Sequence, residues 1–149
     1  MSIEFRPATP RDTAAIMALE AAYYASENYA FEAGAAGRAI DELLADPARG
    51  RLWVADDAGV VVAYLVVAFS HSLEYQGRDA FIDELYVAPS HRGGGIGRTA
   101  LSLAEDACKA AGVRMLHLEV ERDNATARQL YRRVGFVDHD RILMSKRIA

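Results

Sequence analysis

The chain has 149 residues, of which 52% are hydrophobic and 26% charged, with a formal net charge of −4. That length suits one domain with a substantial core, and that balance excludes a disordered chain. The negative charge excludes a general nucleic-acid binder, which needs a basic surface, and leans toward cationic small molecules or basic peptides.

No apolar run approaches the ~20 residues that span a bilayer, and the first six residues contain no signal-peptide core. The expectation is a cytoplasmic protein without a membrane partner. The single Cys108 excludes an internal disulfide and fits a reducing compartment. That cysteine and four scattered histidines show no metal-ligand spacing, so no metal is expected. A homodimer is kept as an expectation, although no residue pattern specifies it.

Residues 3–6 predict a first strand. Thr9, Pro10 and Asp12 mark a helix start, with a hydroxyl cap, a proline at the first helical position and an acid three residues after the cap. That helix runs to about residue 25, with Ile16, Leu19 and Ala22 or Tyr23 inward. Residues 24–37 form a loop carrying Tyr29 and Phe31, and a second helix covers 38–45, stopped by Asp46-Pro47. Residues 52–55 and 60–69 are β-rich and joined by the turn Asp56-Asp57-Ala58-Gly59. The second run is nearly all apolar, as a strand covered on both faces would be.

A polar loop at 74–78 leads into a strand over 80–87. Helix 95–111 places Ile96, Ala100, Leu101, Ala104, Cys108 and Ala111 at helical period, with Gly112 as its cap. Strand 114–121, helix 124–134 ended by Gly135, and a last strand over 141–148 complete the chain. No repeat, linker or low-complexity segment divides it, so residues 1–149 read as one domain. The order β-α-α-β-β-β-α-β-α-β predicts an α/β fold, a mixed central sheet with helices on both faces.

The segment from Val87 to Arg98 carries the strongest chemical signal. It is a strand end, a short loop and a glycine-rich turn opening a helix: Arg92-Gly93-Gly94-Gly95-Ile96-Gly97-Arg98. Glycines let an anion approach the backbone, and the helix start points unpaired N–H groups and positive dipole at it. Arg92 and Arg98 add charge at either edge. A Walker A loop would need glycine at 92 and lysine at 98, where arginines stand. A dinucleotide fingerprint fits residues 95–100 as G-x-G-x-x-A, with Glu119 as its ribose acid. However, residues 88–94 intervene between strand and turn, and the remaining tail is too short for a second mononucleotide half.

A third pattern is met at every fixed position. Residues 92–97 resemble the R-x-x-G-x-G pyrophosphate loop of the GNAT N-acetyltransferases. Asp83-Glu84-Leu85-Tyr86-Val87 is similar to that family's central strand. Leu118-Glu119-Val120, Asn124, Ala127, Leu130-Tyr131 and Gly135-Phe136 are similar to its second signature. The resemblance covers residues 80–137 and implies a GNAT-type fold with acetyl-CoA as co-substrate.

It also implies roles. Acetyl-CoA would lie between two central parallel strands that splay apart, with backbone of Leu85, Tyr86 and Val87 polarising the acetyl carbonyl and pairing with pantetheine. Gly93, Gly94, Gly95, Ile96 and Gly97 would hold the pyrophosphate between Arg92 and Arg98. Asn124 would contact pantetheine or simply cap its helix. Tyr131 would protonate the departing thiolate, since a phenol is protonated at neutral pH. For the general base, Glu119 matches the acid of enzymes that acetylate ribosomal-protein N-termini, and Asp83 with Glu84 match the acidic pair of polyamine acetyltransferases. His117, Glu119 and Glu121 alternate on one strand, which also fits a wet face.

The aromatic residues Tyr23, Tyr24, Tyr29, Phe31 and Tyr75 sit where this family builds its acceptor pocket. His71 and His91 read as surface loop residues, and Cys108 as a core residue rather than a nucleophile. The expected reaction is acetyl transfer to a primary amine of a small, cationic acceptor by direct attack in a ternary complex. Two alternatives stay open: a peptide or protein N-terminal acetyltransferase, and a non-catalytic acyl-CoA-binding module.

Overall fold

The computed structural model describes residues 3–149; Met1 and Ser2 lie outside the described residues. The chain divides into two compact units, one ending at Glu119 and one running from Val120 to Ala149. The first contains β1 (Glu4–Pro7), α1 (Thr13–Ser26), α2 (Ala33–Ala45), β2 (Gly50–Asp57), β3 (Val60–Ser72), β4 (Gly77–Val87), α3 (Ile96–Ala110) and β5 (Met115–Leu118). Its five strands form one sheet in sequential order, antiparallel except for the parallel β4–β5 pair.

The helices cover both faces. On one face Ile16 of α1 and Ile40 of α2 bury against Leu52, Val54, Tyr64 and Tyr86. On the other, Ala55, Val62 and Ala63 pack with Phe5, Val87 and Ile96, and α3 buries Ala100, Leu101, Ala104 and Cys108. The mixed sheet between helices is the expected fold. Val62 to Leu65 and Val67 are almost wholly buried, as a strand covered on both faces requires.

The helix start at Pro10 is a 3-10 turn (Pro10–Asp12) that leads into α1. Asp12 fixes it there. Its carboxylate accepts the Thr9 N–H at 2.8 Å and a two-pronged Arg6 guanidinium at 2.8 and 2.9 Å, tying β1 to α1. Helix α2 begins at Ala33, five residues before the expected start. The Glu32 carboxylate caps its free N–H groups at Gly34 and Ala35. The segment 33–37 expected as loop is thus the first part of this helix, Gly34 and Gly37 included. Gly37 serves packing instead, because a Cβ there would stand 3.1 Å from the Met17 sulfur.

Two histidines depart from the surface-loop expectation. His71 lies within β3, and His91 bonds Asp57 through Nε2 and Ser90 through Nδ1, both at 2.8 Å. The Asp57 bond pins the turn after β4 to the β2–β3 hairpin.

In the second unit, α4 (Ala125–Arg133) is capped by Asn124, whose side-chain oxygen accepts the Ala127 N–H at 3.2 Å. Arg128 and Arg132 both hold Asp138. The strand expected over 141–148 is not formed, and residues 137–149 have no helix or strand. A strand needs a ladder partner for its backbone, and this unit contains no strand to offer one.

Candidate active site

Strand β4 organises the site through one irregularity. Val66 opposes Glu84 and Val67 opposes Ile82, so Asp83 is an extra residue, a β-bulge. Residues opposed across an antiparallel pair share a face. Ile82 therefore falls with Val67 on the α3 face, and Glu84 falls with Val66 on the α1/α2 face. Without the bulge these two residues, two apart, would point the same way. The bulge turns an acid into the apolar side of the sheet.

The same place is where β4 loses a neighbour. Parallel pairing with β5 ends at Ile82–Leu118, while β4 continues to Val87 against β3. The 83–87 backbone thus has β3 on one edge and, among the described residues, no strand paired on the other. Glu119 follows the last pair, level with Asp83, and lies just past β5 rather than inside the longer strand expected. His117 is turned away from the acids 83 and 84: its Nε2 meets Asp79 at 3.2 Å, and its ring lies beside Tyr75 and Phe81. The alternating His117, Glu119, Glu121 face is not formed, since β5 stops at Leu118.

Against the α1/α2 face lies a cleft of about 350 Å³. Its walls are apolar: Ile16 from α1, Ala35, Ala39 and Ile40 from α2, Leu52 and Val66 from the sheet. The small side chains of α2 leave the space. Four carboxyl groups border it, Glu20, Glu32, Asp83 and Glu84, and no Lys, Arg or His among the described residues lines it. Glu84 is the hub. Its Oε1 accepts the Tyr64 hydroxyl at 2.7 Å and its Oε2 accepts the Tyr24 hydroxyl at 2.5 Å. Burial and these bonds raise both phenols well above their ordinary range, so they donate rather than ionise.

Glu20, one helical turn before Tyr24, borders the same cleft as that carboxylate. Burial, then the Glu84 charge and hydrogen bond, then Asp83, push its carboxyl up to about 8. Asp83 is also raised, first by burial and then by Glu84 and Glu119. The acids expected at 83, 84 and 119 therefore share one electrostatic neighbourhood, and Glu84 in particular is committed to two tyrosines.

Strand β4 ends at Val87, three residues or roughly 10 Å past Glu84, and the glycine turn at 93–97 follows the short 3-10 turn Pro89–His91. Gly93 and Gly95 take positive φ, 82° and 88°, which side chains rarely adopt. Gly95 caps α3 without a side chain, and the first bond into the helix is Thr99 N–H to Gly95 O at 3.0 Å. The Ile96, Gly97 and Arg98 N–H groups precede that ladder and have no intrahelical acceptor. A Cβ built on Gly93, Gly95 or Gly97 would meet nothing within 4 Å. This is open space over a helix N-terminus, and a pyrophosphate fits it. Gly94 is comparably open. Arg98 is exposed on the first turn of the helix. Arg92 is more constrained than expected, donating Nε to Val87 O at 2.9 Å with its guanidinium over the Tyr86 ring. Tyr86 is a core residue as well as edge backbone, with Leu85 and Val87 half-buried on either side, and its ring stacks on Tyr23 at 5.4 Å.

Tyr131 and Asn124 belong to the second unit. Burial raises the Tyr131 phenol, and its ring packs edge-on to Phe136. Asn124 acts as a helix cap, one of its two expected roles. Cys108 is buried on α3, where burial raises its thiol, against a nucleophilic role. Sequence reasoning missed Glu20 and Tyr64. Glu20 had a signal, because it stands four residues after inward Ile16 and four before Tyr24, on the stripe that should be apolar. Tyr64 had none within its own strand.

The acetyltransferase (GNAT) family matches residues 14–136 of this chain. Streptothricin acetyltransferase of Streptomyces lavendulae is 32% identical over 156 aligned positions, covering 89% of this chain and 80% of that protein. An integron cassette protein from the mobile metagenome of Cole Harbour Salt Marsh superposes with a TM-score of 0.86 at 32% identity, over 97% of this chain and 90% of that one. A predicted acetyltransferase of Clostridium acetobutylicum, solved with acetyl-CoA, shares the fold with a TM-score of 0.83 at 20% identity, over 97% and 96%.

Proposed function

This chain belongs to the GNAT acetyltransferase family, an acetyl-CoA-dependent N-acetyltransferase, and from that premise we propose that its acceptor is the primary amine of a small cationic molecule seated in the α1–α2–β4 cleft. The observation that carries this reading is the lining: apolar walls, four carboxyl groups and no basic side chain among the described residues. An ammonium group is drawn to such a site, while a second anion is repelled. The likeness to a streptothricin acetyltransferase supports a small acceptor over a protein one.

The chemistry then follows from the residues. The glycine turn holds the pyrophosphate of acetyl-CoA on the α3 N–H groups. Backbone of the unpaired 85–87 edge donates to the acetyl oxygen, where charge develops. Arg92 must release Val87 O if pantetheine is to pair there. In a ternary complex the amine nitrogen attacks the acetyl carbon; the C–N bond forms and the C–S bond breaks. The amine's proton leaves to a carboxylate and on to water. Asp83 suits that task better than Glu84, whose two oxygens already accept hydroxyls. Tyr131 supplies the proton to the departing sulfur.

A thiol-release assay over diaminoalkanes, lysine, streptothricin, aminoglycosides and N-terminal peptides tests the reading. The expected best acceptor is a small amine with positive charge. Preference for peptide N-termini, or for an uncharged or acidic acceptor, would overturn it in favour of the peptide-directed alternative. Acetyl-CoA binding without turnover on every amine would favour the non-catalytic module.

A further inference from the structure

We propose that His91 and Asp57 are a positioning pair for the cofactor: their hydrogen bond holds the glycine turn in the shape that receives the pyrophosphate, so the β2–β3 hairpin governs acetyl-CoA affinity. The proposal rests on the reading of that turn as the pyrophosphate seat and deepens it.

Residues 92–95 have little of their own to hold them. They are exposed, and a Cβ built on Gly93 or Gly95 meets nothing within 4 Å. Glycine also has more backbone freedom to lose than any other residue. Arg92 ties back only to its own strand, through Nε to Val87 O. The shape of the turn is therefore set by the half-buried residues that bound it, His91 and Ile96. Both ends go to the same hairpin. After the turn, Ile96 packs against Ala55, Val62 and Ala63. Before it, the Ala88 N–H donates to Val62 O at 2.8 Å, and His91 Nε2 meets Asp57 Oδ2 at 2.8 Å. Asp57 ends β2, directly opposite Val60 at the start of β3. The His91–Asp57 bond is the last tie to another element ahead of Gly93.

The imidazole is held at both nitrogens. A carboxylate oxygen only accepts, so Nε2 carries the hydrogen, and Nδ1 of the neutral ring accepts the Ser90 hydroxyl at 2.8 Å. A ring bonded on both sides has one orientation, and it fixes the backbone of residue 91 with it. With the pair intact, the ordering of three consecutive glycines is completed as the chain folds. Without it, that cost moves to cofactor binding and appears as lost affinity. Neither residue lines the acidic cleft, so the loss falls on the cofactor and not on the amine.

The test separates the turn from the rest of the cofactor. Binding and steady-state kinetics are measured with acetyl-CoA and with S-acetylpantetheine, which has the same thioester and no pyrophosphate. Asp57→Ala and His91→Phe should each weaken acetyl-CoA about fivefold, as loss of one half-exposed charge-assisted bond implies. S-acetylpantetheine and the amine should keep their KM within about twofold. Asp57→Asn, whose amide oxygen still accepts from Nε2, should recover most of the loss. The double variant should cost no more than either single one, because each residue acts through the other. Equal weakening of both thioesters, additive losses, or no rescue by Asp57→Asn would overturn the proposal.

Hydrogen exchange on the protein without cofactor reads the turn directly. In wild type the residue 91 N–H bonds Ala88 O at 2.9 Å and the Thr99 N–H bonds Gly95 O at 3.0 Å. Asp57→Ala should speed exchange at both, while amides buried in β3 keep their wild-type rates. Unchanged exchange at 91 and 99 would overturn the positioning role and leave the pyrophosphate seat standing. Wild type binding both thioesters equally well would instead remove the pyrophosphate from the turn, and the proposal with it.

Discussion

Tyr131 and the acids of β4 pose different problems at the scale of single residues. For Tyr131, its place in the family signature points to the role, and the raised phenol keeps its proton available. Tyr131→Phe keeps the ring against Phe136 and removes only the hydroxyl. Single-turnover and steady-state kinetics should show kcat lower by about 10²-fold with acetyl-CoA KM nearly unchanged, the mark of a group used only in the transition state. Retention of most of kcat would make the residue a packing tyrosine. Asp83 and Glu84 were legible because adjacent acids at the end of an apolar strand are hard to explain as core. Their division of labour was not legible. It depends on Tyr64 and Tyr24, 20 and 60 residues away from Glu84, and on a bulge that only the β3 register reveals. Glu20 was hidden for the related reason that a helix reading assigns its inward face to apolar residues, and this acid breaks the pattern where α1 borders the cleft.

Elements were easier to read where a local rule decides them. The Thr9–Asp12 capping box, the β-rich run of β2 and the glycine turn followed from nearby residues. The α2 start and the last strand did not, since the first depends on the Glu32 cap and the Met17–Gly37 approach and the second on a pairing partner. Two predictions belong here. Gly97 lies in the first turn of α3 with open space at its missing Cβ and no positive φ. Gly97→Ala should therefore raise helix stability by about 0.5 kcal/mol and Tm by about 1–2 °C. The new methyl group stands over the free N–H groups, so acetyl-CoA should bind less tightly and protect less in a thermal shift. A variant both more stable and unimpaired would move the pyrophosphate off this turn.

The second concerns Asp12, which the Arg6 bond and then the Thr9 N–H hold at about 2, below its ordinary 3.8. Stability from a depressed carboxyl is complete above the unfolded value and drains as pH falls through the folded one. With Arg6 half exposed, a contribution of about 1 kcal/mol is reasonable. It should disappear between about pH 4 and pH 2 in denaturant melts, and Asp12→Asn should lack that portion of the pH dependence.

The whole molecule joins a positive end to a negative pocket. One side of β4 leads into a turn with free N–H groups and two arginines, suited to the phosphates of acetyl-CoA. The face under α1 and α2 holds carboxyls, suited to an ammonium. A cationic acceptor of the kind proposed and the phosphates of acetyl-CoA would each meet a region of opposite charge, and the single strand β4 connects the two regions. How much the acidic region contributes depends on its enclosure. Two opposite charges about 4 Å apart are worth roughly 4 kcal/mol at an effective dielectric of 20, against about 1 kcal/mol in water. A cleft with apolar walls lies between those limits, closer to the first. Neutralising Asp83 and Glu84 together, as Asp83→Asn with Glu84→Gln, leaves size nearly intact, and one of the two tyrosine hydroxyls on Glu84 must turn to accept from the new amide. KM for a diaminoalkane should then rise at least about tenfold, equivalent to ~1.4 kcal/mol, and far more than for a monoamine of equal length, because the second charge loses its partner. Raising ionic strength should weaken the wild-type preference only modestly, since partly enclosed pairs are poorly screened. An equal rise for both amines would mean that the acids act on the reacting nitrogen alone, and that the acceptor's second charge lies in solvent.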